Sequence, residues 1–214
     1  MSDDLILRTR GLCKSFQGFV AVHDVNLSVR RHSIHALIGP NGAGKTTCFN
    51  LLTKFLEPSS GEIYLDGRDI TRASAAGIAR AGVVRSFQIS ATFPHLSVRQ
   101  NVRVALQSRF GEGWQFWRSS RCLRRFDEQV DALLEQVDLL AVRDLPAAAL
   151  SYGRKRALEI ATTLAMDPQL MLLDEPTAGM GHEDVQRVTE LIRRVAVGRT
   201  VVMVEHNLDV VSTL

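Results

Sequence analysis

Short β-prone runs separated by turn residues occupy the first third of the chain: Leu5 to Thr9, Val25 to Val29, Ser33 to Ile38 and Ile63 to Leu65, the last ending in Asp66-Gly67. Such runs predict an antiparallel flap. Ser33 to Ile38 leads straight into Gly39-Pro40-Asn41-Gly42-Ala43-Gly44-Lys45-Thr46-Thr47, and the apolar stretch Cys48 to Leu52 that follows reads as a helix. Val83 to Phe87 is a further strand candidate. From Phe110 to Leu150 the pattern turns helical, with Val130, Leu133, Leu134, Val137 and Leu140 at the i, i+3, i+4, i+7 spacing of one amphipathic helix. A helix from about Gly153 to Met166, an apolar strand Leu170 to Leu173, a helix with Val185, Val188, Ile192 and Val195 on one face, and a second apolar strand Thr200 to Val204 follow. Continuous apolar strands alternating with helices predict a parallel sheet covered on both faces. A last helix begins near Asn207 and is cut at Leu214, so the chain reads as naturally short there or as a fragment.

With 214 residues, 45% of them hydrophobic and 23% charged, the chain has a globular composition and enough length for one domain or two small ones; disorder and fibrous repeats are excluded. The net charge of +3 is concentrated between Arg109 and Phe126, where Arg109, Arg118, Arg121, Arg124 and Arg125 face Glu112 alone, beside Trp114 and Trp117. No apolar run is long enough for a membrane helix, and the acidic start Ser2-Asp3-Asp4 is unlike a signal peptide, so a cytosolic chain is expected. Cys13, Cys48 and Cys122 form no C-x-x-C pair and read as reduced thiols.

Gly39 to Thr46 fits G-x-x-x-x-G-K-[ST] between a strand and a helix. Its glycines let the backbone N–H groups from Asn41 through Gly42, Ala43, Gly44, Lys45 and Thr46 to Thr47 turn toward phosphate oxygens, helped by the helix N-terminus. Lys45 would neutralise the β- and γ-phosphates and the Thr46 hydroxyl would bind Mg²⁺. Leu170 to Leu173 ends in Asp174-Glu175; adjacent acids after a buried strand ask for a positive partner, and Mg²⁺ beside a nucleotide is one. Asp174 would hold the metal through water, and Glu175 would orient or deprotonate the attacking water. Val201 to Val204 likewise ends in Glu205-His206, and Gln88 follows Val83 to Phe87, so both His206 and Gln88 reach the strand-end edge where nucleotide sites lie in open parallel sheets. Taken alone, the His reads as a surface residue and the Gln says little.

Leu150-Ser151-Tyr152-Gly153-Arg154-Lys155-Arg156 resembles the LSGGQ signature of ATP-binding cassette (ABC) ATPases, and with Gly39 to Thr47, Gln88, Asp174-Glu175-Pro176-Thr177 and His206 in family order the resemblance covers essentially the whole chain. It is similar in particular to the cytosolic ATPase subunits of branched-chain amino acid importers, through Arg85-Ser86-Phe87-Gln88, Tyr152, Asp174 to Met180, Glu205 to Val211 and the arginine-rich segment before Asp127; importers of urea, amides or other small organic solutes stand close behind. The resemblance implies an α/β fold: a P-loop NTPase with a RecA-like parallel core and antiparallel β flap plus a helical subdomain. It implies one domain over 1–214, the core and flap in 1–88 and 167–214 and the helical subdomain in 89–166. It implies ATP and Mg²⁺ as cofactors, with Gln88 and Asp174 near the metal. Two such subunits, identical or different, would close head to tail so that Ser151 and Gly153 of one meet the γ-phosphate held by Lys45 of the other. Ser151 is also an ordinary N-cap residue, and both roles are compatible. In the adenine position the match is Phe16, beside Val22, where Phe16 stacks on the base or packs in the core. Membrane permease subunits, and through them a periplasmic or extracellular solute-binding protein, are the implied partners, at the inner face of the cell membrane.

Two positions depart from the family pattern: Arg154 replaces the final Gln of the signature, and Gly181 stands where an Asp is usual. The Arg109 to Phe126 segment is a dock for the membrane subunits, a solvated basic helix, or a nucleic-acid surface. The spacing from Lys45 to Ser151 holds no heptad array of the kind soluble, non-transport ABC ATPases carry, and no nucleic-acid partner is expected.

Overall fold

The computed structural model describes residues 4–86, 92–110 and 126–214. They form two compact units: residues 4–85, 169–176 and 196–214 in the first, and 86, 92–110, 126–168 and 177–195 in the second.

In the first unit, β1 (Leu5–Phe16) and β2 (Phe19–Val25) make an antiparallel hairpin, Phe16 facing Phe19. The connecting Gln17 and Gly18 both have positive φ, 46° and 91°, the backbone that matches the twist of paired strands in a two-residue turn. β3 (Ser28–Arg30) and β5 (Ser60–Leu65) also pair antiparallel with β1, and β6 (Arg68–Asp69) folds back on β5 across Asp66-Gly67. This is the expected flap, with two corrections. β1 runs seven residues past Thr9, through positions whose polar side chains hide the strand from a hydropathy reading. The single strand expected over Val25 to Val29 is split, because Asp24 turns at φ 47° and Asn26 bonds back to it while accepting from the Gly11 N–H at 2.8 Å.

The second sheet has the order β4 (Ile34–Leu37), β9 (Thr200–Val204), β8 (Leu170–Asp174), β7 (Val83–Ser86), and β4, β9 and β8 run parallel. Every residue of β8 and β9 is buried, which explains the apolar runs Leu170 to Leu173 and Val201 to Val204 within them. Helix α1 (Lys45–Leu52) buries Phe49, Leu51 and Leu52 in a cluster that also holds Leu12, Ile63, Leu170, Leu172, Val202 and Val204, so its apolar face ties both sheets together. The short helices α2 (Ala75–Arg80), capped by Ser74, and α7 (Leu208–Thr213), capped by Asn207, complete the unit.

The second unit is built from α3 (Val98–Arg109), α4 (Asp127–Gln136), α5 (Tyr152–Ala165) and α6 (His182–Val195). Helix α3 opens with a full capping box between Ser97 and Gln100, a signal that pays no regard to apolar periodicity. The helix expected to carry Val130 to Leu140 on one face stops earlier. Asp138 takes φ 58°, its N–H donates to Glu135 O at 3.2 Å and the Leu139 N–H to Leu134 O at 2.8 Å, the reciprocal pair of a Schellman end with Asp in the glycine position; Leu140 then starts a 3₁₀ turn. Helix α6 carries Glu183 and Asp184 in its first turn and Arg193 and Arg194 in its last, as its dipole favours. Among the described residues no helix is long and apolar enough to cross a membrane.

Candidate nucleotide site

Parallel register sets the site. Leu37 of β4 faces Val204 of β9, and Val204 faces Asp174 of β8, so three strands end in one row and release their next residues on the same edge. β4 releases the Gly-rich loop, β8 releases Glu175, and β9 releases Glu205-His206.

The loop is held open by conformations that only glycine takes without strain. Gly42 and Gly44 sit at φ 83° and 80°, and a side chain on Gly44 would drive its Cβ into the Ala21 carbonyl oxygen. Gly44 caps α1 without a side chain, so the first-turn N–H groups of Lys45, Thr46 and Thr47 have no partner within the helix and no acidic residue beside them. That leaves an electropositive helix end. The Lys45 ammonium curls over the loop and donates to Gly39 O and Pro40 O, both at 2.7 Å, while Thr46 is exposed. Asn41, Gly42 and Ala43 are exposed, and Ala43 N–H bonds Pro40 O at 3.2 Å. These groups could cradle phosphate oxygens.

Asp174 is fully buried, and Arg85 of β7 donates from Nη2 to its Oδ2. Its other oxygen, Oδ1, has no hydrogen-bond partner among the described residues. An orphaned, buried carboxylate oxygen beside a phosphate cradle fits a hydrated divalent cation, since Mg²⁺ keeps several waters and takes few carboxylates. Glu175 follows in the left-handed region at φ 45°, its N–H donating to Val204 O at 3.0 Å. Its Oε1 lies 2.8 Å from His206 Nε2.

His206 is aimed by Glu205. The buried Glu205 carboxylate accepts the N–H groups of His206 at 3.1 Å and of Asn207 at 3.4 Å, folding the chain directly after β9. Glu205 and Arg85 thus contact the site residues His206 and Asp174 directly, which motif logic does not anticipate. The available signal is a charged residue inside or ending an apolar strand.

Phe16 is 42% exposed at the hairpin tip, with the Lys14 ammonium 5.2 Å from its ring centroid, so it is not a core residue and its ring is free to stack. Val22 is buried beneath the loop, its Cγ2 3.4 Å from where Gly44 would carry a Cβ.

In the second unit Ser151 is the N-cap of α5 by backbone geometry, but its side chain makes no capping bond and is exposed. The hydroxyl is therefore not spent on its own helix. Tyr152 donates its hydroxyl to Ala178 O at 3.2 Å, and a Cβ on Gly153 would sit 2.8 Å from Asp184 Oδ1. Arg154 is exposed, and nothing lies within 4 Å of where a Gly181 side chain would start. Gln88, and the Trp114 to Arg125 part of the basic segment, lie outside the described residues.

The profile of the ABC transporter family matches residues 22–178. The chain is 37% identical to the high-affinity branched-chain amino acid transport ATP-binding protein BraF of Pseudomonas aeruginosa, over 98% of this chain and 85% of that protein. It is 36% identical to the corresponding LivG protein of Escherichia coli, over 96% of this chain and 84% of that one. The crystal structure of a nucleotide-free ATP-binding cassette from an ABC transporter superposes with a TM-score of 0.83 at 29% identity, covering 98% of this chain and 84% of that chain. Loop, paired acids, histidine and signature stand in one order on one fold, and the chain is an ATP-binding cassette of the ABC transporter family.

Proposed function

We propose that this chain is the ATP-hydrolysing subunit of an importer for branched-chain amino acids, working in the cytoplasm at the inner face of the cell membrane. The observation that carries the chemistry is the strand-end row of Leu37, Asp174 and Val204, from which the Gly-rich loop, Glu175 and His206 all issue. The substrate class is supported by the relatives BraF and LivG, named for branched-chain amino acid transport.

Lys45 and the N–H groups from Asn41 to Thr47 bind the phosphates of ATP, with Lys45 exchanging the Gly39 and Pro40 carbonyls for phosphate oxygens. Phe16 stacks on adenine, and Val22 supports the loop beneath. Thr46, Asp174 and Gln88 hold Mg²⁺, which neutralises charge on the phosphate oxygens. Glu175 accepts the proton of the attacking water as its oxygen bonds to the γ-phosphorus and the bond to the β-phosphate oxygen breaks. His206 holds the Glu175 side chain in place. A second ATPase subunit, identical or different, completes each site with Ser151 and Gly153, and permease subunits in the membrane take up the resulting motion. A solute-binding protein reaches this chain only through those permeases.

The test is isolation from native membranes in mild detergent, followed by identification of the co-purified chains and leucine uptake by vesicles reconstituted from them. Polytopic partners and ATP-dependent leucine uptake support the reading. Recovery only from the soluble fraction, alone or with nucleic acid, overturns the transport assignment and leaves the ATPase chemistry standing.

A further inference from the structure

Arg85 is almost wholly buried, its side chain 9% exposed, and is gripped on three sides. Nη2 donates to Asp174 Oδ2, Nη1 donates to Asn50 Oδ1 at 2.5 Å, and Cζ lies 5.7 Å from the Phe49 ring centroid. Asp174 itself has no exposed surface. A carboxylate removed from water needs a counter-charge and hydrogen bonds, and β7 delivers both through one side chain. Because the guanidinium is planar and held by Asn50 and Phe49, its bond engages Oδ2 from a set position. Oδ1 is left as the acceptor.

Asn50 adds the second half of the relationship. It stands four residues after Thr46 on α1, so both lie on one helix face. The Arg85 guanidinium therefore links the acid at the end of β8 to the helix face that presents the Thr46 hydroxyl. These are the two halves of the candidate metal site.

We propose that Arg85 is the positioning residue of the divalent-cation site: by holding Asp174 Oδ2 and Asn50 together it presents Asp174 Oδ1 to the hydration shell of Mg²⁺ at a fixed distance from Thr46. This rests on the reading of Asp174 as the Mg²⁺ residue of an ATP site. Partners behind a metal ligand govern metal affinity by about 10–100-fold in other systems.

The experiment titrates Mg²⁺ into the full chain with a non-hydrolysable ATP analogue, following analogue binding by fluorescence and metal entry by the electron paramagnetic resonance of Mn²⁺. For Arg85→Gln, analogue binding in excess EDTA stays at the wild-type value, while the half-saturating Mg²⁺ concentration rises about tenfold and the Mn²⁺ spectrum changes. Asn50→Leu keeps the buried ion pair and so guards against a misfolded first variant; it raises the Mg²⁺ requirement in the same direction, by less than Arg85→Gln does. Unchanged Mg²⁺ dependence in either folded variant overturns the proposal, as does a loss of EDTA-state binding that matches the loss with Mg²⁺. Wild-type analogue binding indifferent to Mg²⁺ would instead overturn the Asp174 assignment and the proposal with it.

Discussion

His206 Nε2 and Glu175 Oε1 stand 2.8 Å apart at the ends of two adjacent parallel strands, thirty-one residues apart in the chain. The contact exists because both residues leave β-structure abruptly: Glu175 by a left-handed turn at φ 45°, His206 by the pull of Glu205 on its own N–H. Holding a glutamate in that backbone region costs on the order of 1–3 kcal/mol, supplied by the buried strands on either side. In the proposed mechanism this carboxylate keeps a water in line with the γ-phosphorus. Glu175→Gln is expected to bind ATP at wild-type affinity, to lose at least about 100-fold in turnover, and to accumulate as an ATP-bound dimer, read by phosphate release and gel filtration. Ordinary turnover in that variant removes Glu175 from the mechanism.

Glu205 acts on the same pair from behind. Its carboxylate is buried and accepts two consecutive N–H groups, so Glu205→Ala frees the turn that points His206 at Glu175. Stability is expected to fall by about 1 kcal/mol, the usual net worth of a lost hydrogen bond, since His206 and Asn207 are exposed and water can take up their freed N–H groups. Turnover should fall with the ATP dissociation constant unchanged. A variant less stable but fully active would show that His206 needs no such aim.

How far these relationships are legible in the chain depends on what each residue leaves in its surroundings. The Gly-rich loop, Asp174-Glu175 and His206 follow from one rule, that parallel strands bring their carboxyl ends to one edge, and the registry of Leu37, Val204 and Asp174 embodies that rule. Arg85 and Glu205 are invisible to it, because a charge near the end of a strand reads as a surface terminus until the neighbouring strand is seen to bury it. The N-terminal flap is only half legible: Asp66-Gly67 marks its turn, but Gln17-Gly18 does not stand out, since glutamine rarely takes positive φ. Helix α3 has a capping box, but its buried face of Val98, Asn101, Val102 and Leu106 is interrupted by a polar residue, so periodicity alone does not single it out.

Cys48 lies in α1 within the buried cluster, and burial pushes its thiol from 9.0 up to about 11. The folded state holds that proton more tightly than the unfolded chain, so no stability is lost below about pH 9. Between about pH 9 and 11 the folded state should weaken by about 1.4 kcal/mol per pH unit from this group. At pH 8 the thiolate fraction is about a hundredfold below that of a thiol at 9.0, so iodoacetamide should label Cys48 at least that much more slowly in the native chain than in urea, read peptide by peptide in a mass spectrometer. Equal rates in the two states would place Cys48 outside the core.

Gly153 separates two demands on the signature turn. In the first turn of α5 a change to Ala would normally help the helix, by up to about 1 kcal/mol. Here the new Cβ would lie 2.8 Å from Asp184 Oδ1 and 2.9 Å from its Cγ, closer than these atoms tolerate. Gly153→Ala is therefore expected to lose that gain and to come out neutral or destabilising by up to about 1 kcal/mol by thermal or urea unfolding, because the Asp184 side chain, one third exposed, must rotate away from the new methyl. In an Asp184→Ala background the obstacle is gone and the same change should turn stabilising. That difference is a coupling between the two residues, measurable in a double-mutant cycle. ATPase activity follows a different logic. If the bare backbone of Gly153 approaches a γ-phosphate across a dimer, the double variant regains stability and still turns over slowly. Recovery of both together would mean that glycine is kept at this position for Asp184 alone.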